Sequence, residues 1–369
     1  MAPRPEDERF MAAAIRLSRR HLGLTSTNPS VGCIVVKDGV ILGSGVTALG
    51  GRPHAEPQAL AEAGEAAKGA TAYVTLEPCS HYGKTPPCAE ALIAYGVARV
   101  VISVTDPDQR VSGRGITMLR DAGIEVDAGI LEVEGRRSLA GYLMRQTRNR
   151  PYVTLKLAVS ADGMIGKTGE GQVRITGDIS RAQVQMLRAE SDAILVGIGT
   201  AISDDPELTC RLPGLEDRSP LRIVIDGELR LPLGSKLVRT ARQYPVIAVA
   251  GHPPSFDDNT DAAFLGRRAA LDAAGVEVLQ SNSSEPGELL EALGTRGISS
   301  LLVEGGARTA QRFLDAGLVD RILLFRGPAD IGAGGIESPV LKSNIPADFM
   351  HVGESRFGDD LCDEYERGF

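Results

Sequence analysis

The sequence predicts an α/β protein of two domains, and three observations carry that expectation. At 369 residues the chain exceeds what one hydrophobic core usually serves. Its β-branched apolar runs alternate with helical stretches, the pattern of helices packed on a mostly parallel sheet. Around residues 145–151 the run RQTRNRP is polar, basic and closed by proline, which suits a boundary. The domains are accordingly expected at 1–147 and 148–369.

Residues 5–22 open the first domain as a helix. Met11, Ile15, Leu17 and Leu22 recur at roughly helical spacing, and Glu6, Asp7 and Glu8 sit where the helix dipole favours anions. VGCIVVKDGVILGSGV then gives two β-branched runs joined through Lys37-Asp38-Gly39, and Asp-Gly is the strongest short hairpin signal. A helix from about His54 to Ala67 follows, then the strand TAYVTL at 71–76, a polar loop, a helix from Cys88 to Tyr95 stopped by Gly96, and the strand ARVVISV. Beyond the boundary YVTLKLAVSADG reads as an alternating strand and a turn. A helix near 178–190 and the strands DAILVG, LRIVID and YPVIAVA come next. The later run SLLVEGGARTAQRFLDAGLVDRILLF has a strand ending in Glu304, with Gly305-Gly306 opening a helix.

Composition narrows the function. A net charge of -8, a pI near 5.3 and 4% aromatic residues without tryptophan leave little for a base-stacking platform, so no nucleic-acid partner is expected. No segment approaches the ~20 uninterrupted apolar residues of a membrane span. The start MAPRPEDERFMAAAIRLSRRH lacks the apolar core of a signal peptide, so a cytoplasmic protein without a membrane partner is expected. Cys33, Cys79, Cys88, Cys210 and Cys362 are odd in number and scattered, which points to metal binding or packing and not to a disulfide framework. A phosphorylated small molecule stays compatible with the acidic balance, because a few local arginines can hold one phosphate.

GRPHAEPQAL, residues 51–60, puts His54 two positions before Glu56 at a helix start, and Cys79 in LEPCSH and Cys88 in TPPCAE give that pair a meaning. A catalytic zinc takes three protein ligands and leaves the fourth position to water, which one imidazole and two thiolates satisfy. Pro86-Pro87 marks a helix start, placing Cys88 in a first turn whose free N–H groups favour a thiolate. Glu56 is too near His54 along the chain for an obvious second coordination but well placed to move a proton on that water. Zinc deaminases carry H-x-E followed by P-C-x-x-C; here eight residues separate the cysteines, and the enlarged loop SHYGKTPP can reach over a substrate. Two other readings stand at this level. His54 could cap a helix while the cysteines are buried small hydrophobes, or a structural zinc could take His81 as a fourth ligand in a silent binding module that has no use for Glu56.

The runs TNPSVGCIVVKDG, PHAE, ATAYVTLEPCSHYGKTPPCAEALIAYGVARVV and DPDQRVSGRGI, with LKLAVSADG, DDPELTCR, LRIVID and VEGGA in the second half, resemble the bifunctional deaminase-reductases of bacterial riboflavin biosynthesis. The resemblance extends from about residue 7 to the end. It implies an N-terminal cytidine-deaminase-like three-layer α/β/α domain followed by a dihydrofolate-reductase-like α/β domain. The implied chemistry is zinc-dependent (Zn2+, one per deaminase site) hydrolytic deamination of 2,5-diamino-6-(5-phosphoribosylamino)pyrimidin-4(3H)-one. NADPH-dependent reduction of the ribosyl chain of 5-amino-6-(5-phosphoribosylamino)uracil to ribityl follows, in a homodimer or higher homo-oligomer. By the same resemblance Asn28, His81 and Lys84 match positions that contact the deaminase substrate, and Arg188, Asp204, Leu208 and Arg211 match the reductase substrate site. Ala158, Arg174, Thr200, Gly306, Ala307, Arg308 and Thr309 match the NADPH site. The alternative is a zinc nucleoside or base deaminase with an unrelated or inactive second α/β domain.

The residues themselves add physical reasons. Asn28 precedes Pro29 and could simply make a turn, as could Asp204 in Asp-Asp-Pro. Gly305-Gly306 would let a phosphate approach the backbone at a helix N-terminus, although the run fails the G-x-G-x-x-G fingerprint and could be a bare turn. Arg188 and Arg211 suit a ribose 5-phosphate; Arg188 could equally face solvent from its helix. Lys156 and Glu304 lie on apolar strands, where an unpaired charge is costly to bury, so each should face a polar site or find a partner at the ribose end. Met164 after the Asp-Gly turn, and Arg174 where an aromatic often sits beside the cofactor, depart from the family pattern.

Overall fold

A computed structural model describes residues 4–83, 85–108, 111–251, 258–281 and 285–368. By its contacts the chain divides into Met1–Asn149 and Arg150–Phe369. The first unit runs α1 (Asp7–Ser18), β1 (Gly32–Lys37), β2 (Val40–Val46), α2 (Ala55–Ala63), β3 (Thr71–Leu76), α3 (Cys88–Ala94), β4 (Arg99–Val104), α4 (Arg114–Asp121), β5 (Glu125–Ala128), α5 (Glu132–Ser138) and α6 (Ala140–Arg148). Asp38 and Gly39 turn the β1–β2 hairpin with φ of 51° and 78°, the paired left-handed conformation a two-residue loop needs.

The sheet order is β2-β1-β3-β4-β5, and only β3, β4 and β5 run parallel. The mostly parallel sheet expected for this half is therefore half antiparallel. The hairpin reverses β1 against β2, and the crossover through α2 sets β3 beside β1, so β1 opposes both neighbours. Alternation along β1 sorts the two faces: Cys33 and Val35 pack with Leu60, Leu92 and Ile102, while Ile34 and Val36 pack with Phe10, Met11 and Ile15 of α1. Helices thus cover both faces, giving three α/β/α layers. Leu60 and Leu92 are wholly buried, each contributing roughly 1.5–3 kcal/mol. At Gly45 of β2 a Cβ would stand 2.1 Å from the Ala55 carbonyl oxygen, so the first turn of α2 rests directly on the strand.

The division after Asn149 falls inside the polar run RQTRNRP, most of which is helical. Arg145 to Arg148 form the last turn of α6, where basic side chains suit the helix dipole, and Asn149 closes it at φ 52°.

The second unit continues with β6 (Tyr152–Val159), β7 (Met164–Lys167), α7 (Asp178–Ala189), β8 (Ala193–Gly197), α8 (Ile198–Asp204), β9 (Leu221–Ile225), α9 (Lys236–Arg239), β10 (Val246–Ala250), α10 (Asp258–Ala274) and β11 (Glu277–Gln280). It ends with α11 (Pro286–Thr295), β12 (Ser300–Val303), α12 (Ala307–Asp315), β13 (Arg321–Arg326), β14 (Gly335–Glu337), β15 (Phe349–Phe357) and β16 (Asp360–Arg367). The large sheet is ordered β11-β10-β9-β8-β12-β6-β13-β16-β15, parallel from β11 to β13 and closed by an antiparallel hairpin; β7 and β14 form a separate ribbon. Val153, Leu155, Leu157 and Val159 of β6 face Leu290, Leu293 and Phe313 of α11 and α12. Lys156 and Ala158 alternate to the other face, where Val184 and Leu187 of α7 pack.

The chain steps outward from β8 to β11 and then returns to insert β12 between β8 and β6. Parallel strands that part in this way leave a crevice beyond their C-terminal ends, the usual place for a ligand in such sheets. Among the described residues, no helix is long and apolar enough to cross a membrane.

Candidate active sites of the two units

In the first unit His54 stands as the residue before α2, with Cys79 just beyond β3 and Cys88 opening α3. His54 Nδ1 lies 3.3 Å from Cys88 Sγ and 3.7 Å from Cys79 Sγ, and the three donor atoms are all within 4.8 Å of one another. The Cys88 N–H donates to Cys79 Sγ at 3.3 Å, so the positive end of α3 serves Cys79. The two thiols share charge unequally. A hydrogen bond from Cys88 outweighs burial and holds the Cys79 thiol well below its usual range, while the same bond and burial push the Cys88 thiol up. The pair carries one negative charge readily and a second only against a cation, which is what a divalent metal would provide.

Glu56, in the first turn of α2, is 3% exposed. Burial raises its pKa, the negative Cys79 adds to this, and a hydrogen bond with the Cys88 thiol aims it at the same centre. A buried, readily protonated carboxylate beside three metal donors fits a zinc that activates water, and does not fit a helix cap with inert cysteines. His81 stands outside the donor group, which among the described residues has no fourth protein ligand.

His81 lies instead on a pocket of about 550 Å3 with Ser80, Ser112, Gly113, Arg114, Thr117 and Met118. Its Nδ1 is buried without a hydrogen-bond partner among the described residues. Asn28 does close a turn, its N–H donating to the Thr25 carbonyl and its own carbonyl accepting from Thr25 Oγ1; a Cβ on Gly51 would stand 2.4 Å from its Nδ2. Lys84 lies outside the described residues. Sequence reasoning passed over Glu77 and Asp106, both buried. Glu77 accepts backbone N–H groups from the segment leading into α4, and the argument applied to Lys156 and Glu304, a charge at the end of an apolar strand, would have found it.

In the second unit Glu304, just past β12, meets Arg188 of α7: Nε to Oε1 and Nη2 to Oε2 are each 2.9 Å. Arg188 is thus a buried partner and not a solvent-facing residue. Burial alone would raise the Glu304 carboxyl; the Arg188 charge and hydrogen bonds, with the Lys156 charge, hold it below its usual value. Burial lowers the Lys156 pKa against the pull of Glu304, and its Nζ lies 5.8 Å from the Phe325 ring centroid with no hydrogen bond among the described residues.

Thr200 Oγ1 accepts the Gly306 N–H at 3.1 Å where α12 begins, and Ala307 and Arg308 follow with N–H groups that have no described partner. A Cβ on Gly305 would stand 2.6 Å from Thr309 Cβ, and one on Gly197 2.5 Å from Thr309 Oγ1. Backbone thus lines a cradle at the ends of β8 and β12, and open N–H groups at a helix start suit a diphosphate. Ala158 belongs to the neighbouring strand β6. Arg308 is exposed, and Arg174, also exposed, pairs with Asp178 at 2.6 Å.

Asp204 ends α8 and accepts from Ser203 Oγ at 2.5 Å; Leu208 is buried at φ 58°, and Arg211 is exposed and paired with Glu207 at 3.2 Å. Beneath this loop lies a residue that sequence reasoning missed, Arg222. It is fully buried and donates to the Glu207 carbonyl (3.1 Å), Thr240 Oγ1 (2.9 Å) and the Leu237 (3.4 Å) and Tyr244 carbonyls. An arginine inside LRIVID was the available signal.

Comparison with known proteins matches both units. Residues 4–104 match the family described as cytidine and deoxycytidylate deaminase zinc-binding region, and residues 151–362 match the RibD C-terminal domain. The chain is 42% identical to riboflavin biosynthesis protein RibD of Aquifex aeolicus over 89% of this chain and 88% of that protein. It is 39% identical to RibD of Escherichia coli over 97% and 98%. Among solved structures it superposes on Acinetobacter baumannii RibD with a TM-score of 0.85 at 34% identity, covering 99% of each chain. The diaminohydroxyphosphoribosylaminopyrimidine deaminase/5-amino-6-(5-phosphoribosylamino)uracil reductase of Thermotoga maritima gives a TM-score of 0.83 at 33% identity, covering 98% and 99%.

Proposed function

The chain belongs to the RibD family, bifunctional riboflavin-biosynthesis enzymes with a zinc-binding deaminase domain followed by a reductase domain, and from that premise we propose which residues carry each reaction. Residues 1–147 deaminate 2,5-diamino-6-(5-phosphoribosylamino)pyrimidin-4(3H)-one. Zinc bound by His54, Cys79 and Cys88 supplies a Lewis acid that makes water nucleophilic near neutral pH. Glu56 takes one proton from the attacking water and gives it to the ring nitrogen as the C–O bond forms, then carries the remaining hydroxyl proton to the amine as the C–N bond breaks, leaving the carbonyl and ammonia. Asn28, His81 and Lys84 hold the substrate.

Residues 148–369 reduce the ribosyl group of the product to ribityl. NADPH, along Ala158, Arg174, Thr200, Gly306, Ala307, Arg308 and Thr309, supplies the hydride. Lys156, Arg188, Asp204, Leu208, Arg211 and Glu304 hold the phosphoribosyl end, and the polypeptide fixes the acceptor carbon against the cofactor. The enzyme works in the cytoplasm as a homodimer or higher homo-oligomer, a state that light scattering reads directly.

One observation carries this reading: three metal donors, an imidazole and two thiols, within 4.8 Å of one another beside a carboxylate that burial keeps protonatable. The test supplies the diaminopyrimidine ribosyl phosphate and NADPH to zinc-loaded protein, following ammonia and NADPH absorbance together. Ammonia followed by NADPH loss is expected, both abolished in Glu56→Gln, with NADPH loss restored by the deaminated intermediate. Ammonia without NADPH loss would remove the reductase, and no ammonia would return the first unit to the other zinc deaminases.

A further inference from the structure

Glu77 lies two residues before Cys79, is 3% exposed, and has no charged partner among the described residues. Its carboxylate is surrounded by backbone. Oε2 accepts the N–H groups of Asp106 (3.3 Å) and Gly113 (3.0 Å), and Oε1 those of Gly115 (3.0 Å) and Ile116 (3.4 Å). Its own N–H donates to the Val104 carbonyl at 2.9 Å, fixing it at the C-terminal ends of β3 and β4. The N–H groups at the start of α4, which would otherwise be free to hold an anion, are therefore occupied by the protein's own carboxylate.

Two further facts tie this arrangement to the pocket. Gly113 and its neighbours Ser112, Arg114, Thr117 and Met118 form one wall, and Ser80 and His81, directly after Cys79, form the other. At Gly115 a Cβ would fall 2.1 Å from the Pro78 carbonyl oxygen, so the start of α4 lies against the peptide that leads into Cys79. Glu77 grips this segment from one side and Gly115 lets it close from the other.

We propose that Glu77 is a positioning residue for deamination: it clamps the Ser112–Thr117 wall of the pocket to the segment that bears Cys79, and so holds the pocket at the width that binds the substrate. This rests on the deaminase reading of the first unit. Gln at this position keeps the shape but turns an NH2 group toward two of the N–H groups that the carboxylate now accepts, which pushes the wall outward while leaving Cys79 on its strand end.

The experiment is steady-state deamination by the full-length, zinc-loaded protein as wild type, Glu77→Gln and Gly115→Ala, with zinc content and reductase turnover of the deaminated intermediate measured on the same samples. Both variants should raise KM for the diaminopyrimidine substrate at least about tenfold while kcat stays within about threefold. Zinc content and reductase turnover should be unchanged. Gly115→Ala keeps the carboxylate, 3.3 Å from the added Cβ, and displaces the same wall by crowding the Pro78 carbonyl, so it carries the test if Glu77→Gln fails to fold. Unchanged KM in a folded, zinc-loaded variant overturns the proposal, as does loss of zinc in step with kcat, which would make Glu77 a mere support for Cys79. Absence of ammonia from the wild type would instead overturn the deaminase reading itself, and this clamp with it.

Discussion

Arg188 and Glu304, 116 residues apart, meet fork to fork with two 2.9 Å hydrogen bonds at side chains each 11% exposed. Removing one partner leaves the other buried and unpaired, so Glu304→Gln should lower the stability of the second unit by about 3–5 kcal/mol at neutral pH. The sign of the pH dependence follows from the depressed carboxyl. Its contribution is complete above the usual carboxylate value and is lost as pH falls through the lower folded value, because only the unfolded chain binds the proton in between. Urea unfolding of wild type and Glu304→Gln should therefore show a gap at pH 7 that narrows below the usual value of 4.5. A pH-independent gap would point to packing and not charge.

Metal retention and proton transfer separate by mutation in the first unit. Cys88→Ala removes a donor and should drop the zinc content and abolish ammonia release together. Glu56→Gln keeps all three donors, so zinc should remain while kcat falls by about 10²–10⁴. Thermal unfolding of the first unit reports in both cases that it is folded, and reductase turnover of the deaminated intermediate reports the same of the second. Loss of zinc from Glu56→Gln would mean that the carboxylate belongs to the donor set.

Asp106, 5% exposed, has its carboxyl pushed up to about 6 by burial, against the Asp108 N–H and the Tyr142 hydroxyl that favour the anion. Here the folded value lies above the usual 3.8, so the native state holds its proton longer and stability declines as pH rises through that window. Asp106→Asn should flatten the decline and raise the stability of the first unit at pH 7 by up to about 3 kcal/mol. The thermal midpoint of wild type and variant at pH 4 and pH 7 is the check, and equal slopes would refute the shift.

What the sequence made legible was local. TAYVTL is β3 residue for residue, the Asp38-Gly39 turn is where its chemistry requires, and His54, Cys79, Cys88 and Glu56 meet. The first two rest on periodicity and turn residues read within a few positions; the donor set, whose cysteines lie 25 and 34 residues from His54, is the exception, legible through ligand chemistry and the family resemblance. The antiparallel setting of β1 depends on which strand the α2 crossover lands beside, and no local pattern encodes that. RQTRNRP reads as a boundary by composition, but the last turn of an exposed helix is equally polar, so composition does not place the end of α6. β15, on the sheet edge and mostly exposed, offers little hydrophobic signal. Glu77 and Arg188 find partners 29 to 39 and 116 residues away, so the sequence shows that a buried charge needs a partner without showing which.

Arg222 poses that problem most sharply, being 0% exposed with its described acceptors all carbonyl or hydroxyl oxygens. Burial lowers its pKa to about 10, which still leaves it charged at neutral pH. One fork of the guanidinium reaches the Glu207 carbonyl in the loop bearing Asp204, Leu208 and Arg211, while the other reaches the carbonyls of Leu237 and Tyr244. Lysine keeps the charge but offers one nitrogen, which cannot span both. Arg222→Lys should thus release the loop, losing about 1.5–3 kcal/mol of hydrogen bonding to a charged group, roughly a tenfold or greater rise in KM for the reductase substrate if the loop binds it. The cradle of Thr200 and Gly306 has no described bond to Arg222, so KM for NADPH should stay within about twofold, a change worth only ~0.4 kcal/mol. Steady-state reduction of the deaminated intermediate, varying each substrate in turn, separates the two. A parallel rise in both KM values would mean that Arg222 supports the whole sheet end and not the substrate loop.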